Sequence, residues 1–343
     1  MAERLDTLDM FGAAAALPEQ VDVARRSARQ VVGLPSADGV TSVVVLGMGG
    51  SGIAGDLVAA VCGPRLAVPV IVPKGYEAPA FVGPDTLVFA VSFSGNTEET
   101  VEAATRVAER GGRLVVIAAG GELASLAGEW GAPVLPIDAS IPMPRAGIGA
   151  VSIQALVALE RMGLLDGIDS EIDGAVAQLT RRVATLTVDG SDAAKLARKI
   201  GGTLPIVYGG GAVGEIAAVR WKGQFNENPK VPAFANRVPE LTHNEIAGWG
   251  QHGDVTRQVF TIIQLRHDFE HPQTQKRFGL VAEICDEVVA DVLEVHAEGD
   301  TVLAQLFDLI AIGDFVSLEL AVQSGVDPGP VPVLDYIKAS LRA

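Results

Sequence analysis

The sequence predicts an α/β protein: two αβα subdomains with mostly parallel sheets, joined by central helices. Three observations carry this. Short, nearly continuous apolar runs such as Val43-Val44-Val45-Leu46, Leu87–Val91 and Leu114–Ile117 alternate with stretches of helical length, as strands covered on both faces require. Several runs end in glycine-rich turns that lead straight into a helix, at Gly47–Gly52 and again at Gly209–Gly211. The plan of strand, glycine turn and helix occurs twice, a weak internal repeat on either side of a helical stretch.

Taken in order, an opening helix is expected over Glu19–Val32. It is followed by the Val43–Leu46 strand and a helix with Ile53, Leu57, Val58 and Val61 on one face. Val70–Val72 and Leu87–Val91 are the next strands, the second feeding a helix over Glu98–Arg110. Leu114–Ile117 and Val134–Ile137 complete the first set. Residues 146–202 read as helical, broken near Gly163–Asp166 and Gly190. Leu204–Tyr208 restarts the alternation with a helix from about Val213, then strands at Val259–Leu265 and Val292–Val295. Helices near Gln273–Val289 and Asp300–Gln323 follow, with a short final helix over Asp335–Arg342. The expected division is 1–150, a connecting helical segment 151–202, and 203–343.

A chain of 343 residues exceeds one ordinary core, so roughly two domains are expected. The net charge of −16 and a pI near 4.7 argue against nucleic acid and against an anionic membrane. A small anion remains possible, through a local pocket of donors. Cys62 and Cys285, far apart within apolar helical patterns, do not suggest a disulfide framework. The first ten residues carry acidic groups where a secretory signal is positive, and each long apolar stretch is interrupted by a charge or breaker. The expected location is the cytoplasm.

Gly47-Met48-Gly49-Gly50-Ser51-Gly52 fits G-x-G-x-x-G between a strand and a helix, which opens a dinucleotide reading. That reading also wants an acidic residue after the second strand. Here Val72 is followed by Pro73-Lys74, and Glu77 is the nearest carboxylate. A turn that lets the helix pack closely is the plainer alternative. Either way, a helix N-terminus with Ser51 is an anion cradle.

Ser92-Phe93-Ser94-Gly95-Asn96-Thr97-Glu98-Glu99-Thr100 is more specific. It puts three hydroxyls and a helix start at the end of one strand. Alternation places Ser92 and Ser94 on the same side, with Thr97 near the cap. An ordinary capped turn needs one hydroxyl; a phosphate, with several acceptor oxygens, calls for this density of neutral donors.

The pattern Ser-x-Ser-Gly-Asn-Thr-x-Glu-Thr resembles the phosphate loop of sugar isomerase (SIS) domains, and Gly47–Gly52 is similar to the first loop of that fold. Phe225-Asn226-Glu227-Asn228-Pro229-Lys230, Glu240-Leu241-Thr242-His243-Asn244-Glu245-Ile246, Pro144-Arg145-Ala146 and Gly325-Val326-Asp327-Pro328 resemble segments of the bifunctional phosphoglucose/phosphomannose isomerase family. The matches run in order from about 45 to 338.

Moving a carbonyl between C1 and C2 of a sugar needs a base that takes a proton from one carbon and returns it to the next. The resemblance implies that this base is Glu227, which lies near the end of a predicted helix beside strand-like Val231–Ala235. The alternative is an ordinary surface glutamate. His243, one of five histidines, suits the proton exchange of ring opening; helix capping or core packing is its alternative. The resemblance implies that it comes from the other subunit of a homodimer. Arg145 follows the rigid Pro142-Met143-Pro144 and would steady a developing enediolate, with a surface ion pair as the plain reading. Lys338 is placed near substrate by the resemblance alone. Gly329 stands where many family members carry Thr, which leaves epimer preference open. His267 and His271 are spaced i, i+4, but Pro272 argues against one helix through both, and no metal site is expected.

The implied function is a metal-free, cofactor-free isomerase of hexose 6-phosphates, with Gly49, Gly50, Ser51, Ser92, Ser94 and Thr97 holding the phosphate. Proton transfer between neighbouring carbons calls for no cofactor. A non-catalytic sugar-phosphate-binding protein would keep the loops without turnover. An NAD-dependent oxidoreductase would rest on Gly47–Gly52 alone and leave Ser92–Thr97 unexplained. A DNA-binding regulator lacks a basic helix–turn–helix, and a glutamine-dependent aminotransferase lacks an early cysteine.

Overall fold

The computed structural model describes residues 5–341. Met1–Arg4 and Arg342, the last residue of the expected final helix, lie outside that range. In chain order the helices and strands are α1 (Met10–Ala15), α2 (Leu17–Gln30), β1 (Ser42–Leu46), α3 (Gly49–Cys62), β2 (Val70–Ile71), β3 (Thr86–Ser92), α4 (Glu98–Glu109), β4 (Arg113–Ala118), α5 (Gly121–Trp130), β5 (Val134–Pro136), α6 (Ile148–Arg161), α7 (Ile168–Leu186) and α8 (Asp192–Ile200). They continue with β6 (Leu204–Gly210), α9 (Gly211–Glu227), β7 (Phe234–Val238), α10 (Gly253–Val259), β8 (Phe260–Arg266), α11 (Pro272–Cys285), β9 (Asp291–His296), α12 (Val302–Gln323) and α13 (Pro332–Leu341). The α/β class and its two parallel sheets are as the sequence predicts.

The chain forms two compact units. One comprises Ala16–Arg181 and Ala297–Asp308; the other comprises Arg182–His296 with the described residues of Met1–Ala15 and Leu309–Ala343. Among the described residues, no helix is long and apolar enough to cross a membrane.

The first unit is built on a five-stranded parallel sheet in the order β2-β1-β3-β4-β5. β1 and β3 are buried along their whole length, because helices cover both faces and leave no polar side to alternate. Val44, Leu46, Val88, Ala90 and Val116 form one core with Ala103, Ala104 and Val107 of α4 and Leu123 and Ala127 of α5. α6 is buried from Ile148 to Leu159. It lies close to α2 at Gly149, where an added Cβ would meet Val21 and Gln20 at 3.1 and 3.2 Å. Arg161 then caps α2, its guanidinium donating to the carbonyls of Ala28 and Val31 at 2.6 Å each, groups that a helix end leaves without partners.

The second unit carries a four-stranded parallel sheet in the order β7-β6-β8-β9. Tyr208, Val238, Leu241, Ile262, Phe278, Val281 and Cys285 make its core. α9 is fastened to α12: Trp221 donates to the Leu309 carbonyl at 2.7 Å, and Gly313 leaves the space its indole fills, since a Cβ there would come within 2.2 Å of the ring nitrogen. Arg220 is buried in an ion pair with Asp314 at 2.9 Å, and Gln224 donates to the same carboxylate at 2.8 Å.

The element boundaries differ from the sequence reading by a few residues in most places. α2 starts at Leu17 because Pro18 occupies its first turn, where a missing N–H costs nothing. α1, α5 and α10 carry no strong periodic signal; α5 begins within the Gly120-Gly121 pair, both at positive φ.

Candidate active site

In the first sheet the strand order reverses at β1 and β3, and crevices at such reversals, at the carboxyl ends of the strands, are where open α/β sheets bind ligands. Both glycine-bearing loops meet there. β1 runs into Gly47, which a Cβ would drive to 2.9 Å from the Ser51 carbonyl, and α3 then begins at Gly49 with φ of 55°. No side chain caps α3, so its first amides have no side-chain acceptor. The Phe93 amide donates to Ser51 Oγ at 3.3 Å, which ties the first loop to the second and leaves the Ser51 proton to donate elsewhere.

The second loop is braced from inside. Ser92 is fully buried; its hydroxyl lies 2.8 Å from that of Thr97 and accepts from the Gly95 amide at 3.1 Å. Thr97 stands at the start of α4 but its side chain makes no capping bond, so this is not the ordinary capped turn. Gly95, with φ of 73°, sits so close to the next loop that a Cβ would fall 1.8 Å from the Gly120 carbonyl. Asn96 completes the join by accepting from the Glu122 amide at 3.0 Å. The extended backbone stops at Ser92, so the alternation expected to align Ser92 with Ser94 does not continue: Ser92 is buried and Ser94 is exposed. The exposed or half-exposed members of the set are Gly49, Gly50, Ser94 and Thr97; Ser51 and Ser92 are the buried braces.

Arg145 belongs to the same unit. It lies in a short 3₁₀ turn, Pro144–Ala146, and is only 4% exposed, which rules out a surface ion pair. The turn packs on the start of α3: a Cβ on Gly50 would lie 3.4 Å from the Pro144 carbonyl and 3.7 Å from Arg145 Cα. Gln20 Nε2 holds the turn through the Ala146 carbonyl at 3.0 Å. The ribose-binding carboxylate that a dinucleotide reading needs does not materialise. After β2, Lys74 pairs with Asp56, and Glu77 is 86% exposed at the side chain.

The remaining candidates belong to the second unit. Glu227 is the last residue of α9 and is half-buried. Its neighbours hold it there: Asn228, fully buried, donates to Ser317 Oγ at 2.8 Å, and Asn226 donates to the Val231 carbonyl at 3.0 Å. Lys230 has a left-handed backbone, φ 59°, and its ammonium donates to the carbonyls of Glu227 and Asp327 at 2.8 Å each. His243 ends the 3₁₀ turn Glu240–His243 and is exposed, neither a core nor a capping residue. Lys338 is exposed on α13, none of whose residues is buried. A Cβ on Gly329 would meet the Leu8 side chain at 2.8 to 3.0 Å, so Leu8 occupies the room that a larger residue would need.

Lys230, Asn228 and Leu8 were not singled out as functional by sequence reasoning. The first two lie inside the Phe225–Lys230 segment, whose density of amides and charge is the one available signal; Leu8 has none. His267 and His271 have separate structural tasks. His267 Nε2 lies 2.8 Å from the Gly210 carbonyl, and His271 caps α11 by accepting from the Gln273 amide at 3.1 Å. No group of three potential metal ligands occurs among the described residues.

Two parallel α/β sheets, with two glycine-bearing loops joined at the first strand reversal, are the architecture of the SIS-domain class. The SIS domain family matches residues 40–129, and the family described as bacterial phospho-glucose isomerase C-terminal SIS domain matches residues 189–341. The bifunctional phosphoglucose/phosphomannose isomerase of Caldicellulosiruptor bescii is 34% identical, with 97% of this chain and 98% of that protein covered. The protein of the same description from Aquifex aeolicus is 32% identical over 88% of this chain and 90% of its own length. The chain belongs to the bifunctional phosphoglucose/phosphomannose isomerase family. Among solved structures, the C-terminal domain of glucosamine-fructose-6-phosphate aminotransferase from Francisella tularensis superposes with a TM-score of 0.72 at 15% identity, covering 94% of this chain and 97% of that one; this likeness concerns the fold alone.

Proposed function

We propose that the protein interconverts glucose 6-phosphate, mannose 6-phosphate or both with fructose 6-phosphate through a cis-enediol. The observation that carries the reading is the joined pair of loops at the first strand reversal, where the Phe93 amide meets Ser51 Oγ and the Ser92 and Thr97 hydroxyls meet each other. That arrangement makes one seat of neutral donors at a helix start, which suits a phosphate in a protein of net charge −16. Gly49, Gly50, Ser51, Ser92, Ser94 and Thr97 form this seat, the buried hydroxyls shaping it and the exposed groups meeting the anion.

The chemistry that follows is redox-neutral overall. Glu227 takes the C2 proton of the open-chain aldose, and the electron pair moves to the C1 oxygen by way of the enediol. The same carboxylate then returns a proton to C1, with a proton passing between the two oxygens. Arg145, always charged, steadies the enediolate oxygen. His243 exchanges the protons of ring opening and is supplied across a homodimer interface. Lys338 lies near the substrate in the assembled dimer. The location is the cytoplasm, and no metal or cofactor takes part.

The test is purified protein with each hexose 6-phosphate in turn, following fructose 6-phosphate, beside Glu227→Gln. Wild type converts at least one substrate, and the variant loses about 10²- to 10⁴-fold in kcat, the usual worth of a general base. Phosphosugar binding without conversion of either substrate would favour the non-catalytic sugar-phosphate-binding reading. A fully active Glu227→Gln would remove Glu227 as the base. The ratio of the two rates reads the epimer preference.

A further inference from the structure

His243 is exposed, yet the chain on both sides of it is fastened. Before it, Leu241 is fully buried in the core that holds Tyr208 and Val238, and Arg277 donates to the Thr242 hydroxyl. After it comes Glu245, whose two carboxylate oxygens have separate donors. The Tyr208 hydroxyl donates to one, and Asn236 Nδ2 donates to the other at 2.6 Å. Tyr208 and Asn236 are register partners on the adjacent strands β6 and β7, so their side chains stand together on one face. Trp249 Nε1 in turn donates to the Tyr208 oxygen at 3.3 Å. Asn244 begins the next 3₁₀ turn, its side chain accepting from the Glu245 amide.

Packing alone does not call for this. Tyr208 is fully buried, and an apolar ring of the same size would fill the space without a hydroxyl to satisfy or a carboxylate to draw out of water. What the pair adds is direction: a carboxylate gripped at both oxygens fixes the backbone two residues after His243, where an apolar contact would let it slide.

We propose that Tyr208 and Glu245 are positioning residues for His243, holding the 3₁₀ segment so that the imidazole is presented at one height from the end of the second sheet. This rests on the reading of His243 as the group that acts in ring opening.

The experiment is a double-mutant cycle with Tyr208→Phe, Glu245→Gln and His243→Ala, assayed on the hexose 6-phosphate the wild type turns over. Tyr208→Phe keeps the ring and Glu245→Gln keeps the shape, so each is expected to lower kcat about tenfold with KM within about twofold. In the His243→Ala background, either substitution is expected to change kcat by less than about twofold, because residues acting through one group are not additive. An unchanged kcat in both single variants overturns the proposal, as does an equal tenfold loss in both backgrounds, the mark of a purely structural role. Should Tyr208→Phe not fold, the Glu245→Gln arm of the cycle is judged by the same criteria. A His243→Ala variant at the wild-type rate overturns the reading of His243 itself, and that result is seen in the first arm of the cycle.

Discussion

The Lys230 ammonium donates to the backbone carbonyl of Asp327 at 2.8 Å, so the end of α9 and the Gly325–Pro330 loop are fixed by one cation. The same group donates to the carbonyls of Glu227, Asn228 and Pro328 at 2.8, 3.1 and 3.2 Å. The Asp327 carboxylate extends the join by accepting from Thr7 Oγ1 at 2.6 Å and the Gly329 amide at 3.0 Å. Burial works against its ionised form, yet the bonds from Thr7 and Gly329 and the nearby Lys230 charge bring it below the ordinary aspartate value. Glu227 is thereby held from its carbonyl side by a residue that sequence alone marks only as a charge.

Lys230→Met is expected to cost about 1 kcal/mol, since hydrogen bonds to a charged group are worth about 1.5–3 kcal/mol and the exposed side chain discounts that. Lys230→Gly recovers part of the loss, because a left-handed backbone costs a non-glycine residue about 1 kcal/mol. Urea unfolding of the two variants checks the order; Lys230→Met more stable than Lys230→Gly would contradict the account.

Gly95 and Gly128 form a matched pair. Gly95→Ala places a Cβ 1.8 Å from the Gly120 carbonyl at φ of 73°, so the loop must open. Affinity for inorganic phosphate and stability both fall, the latter by about 2 kcal/mol or more from strain and lost bonds. Gly128, inside α5, has nothing within 4 Å of the added Cβ, so Gly128→Ala gains about 0.5–1 kcal/mol from helix propensity. Calorimetric titration with inorganic phosphate beside thermal unfolding separates the two effects.

Gly329→Thr is expected to destabilise the second unit by about 1–3 kcal/mol, the usual cost of overpacking, because Leu8 stands 2.8 Å from the new Cβ. Leu8→Ala alone is mild at a residue already 38% exposed. The double variant regains most of the loss if Leu8 is the obstacle, and denaturant midpoints of the four proteins read this directly.

Both cysteines are buried and unpaired. Burial pushes the Cys62 thiol up to about 12 and that of Cys285 to about 11, from 9.0. Above pH 9 the unfolded chain releases these protons while the folded chain keeps them. The unfolded state then binds fewer protons, so stability falls as pH rises. The contribution is fully present below pH 9 and is lost as pH rises to about 11 and 12. Unfolding midpoints at pH 8, 9 and 10 are expected to decline less steeply in Cys62→Ala than in wild type, and native protein is expected to resist thiol alkylation at pH 7.

The parts legible in the sequence are local ones. Continuous apolar runs identify parallel strands because a sheet covered on both faces has no polar side, and the Ser92–Thr97 loop is written in six consecutive residues with their own turn chemistry. Glu227, His243 and Arg145 came into view through ordered segments that resemble a family, since no spacing rule links residues so far apart. The partners of those segments were not legible. That Tyr208 grips Glu245 across 37 residues and that Leu8 fills the space above Gly329 both depend on which elements pack together. Sequence by itself determines propensity, pattern and turn geometry, which act within a few residues. Side-chain partners at long range are chosen by close packing of distant elements, and that choice exists only once the chain has folded.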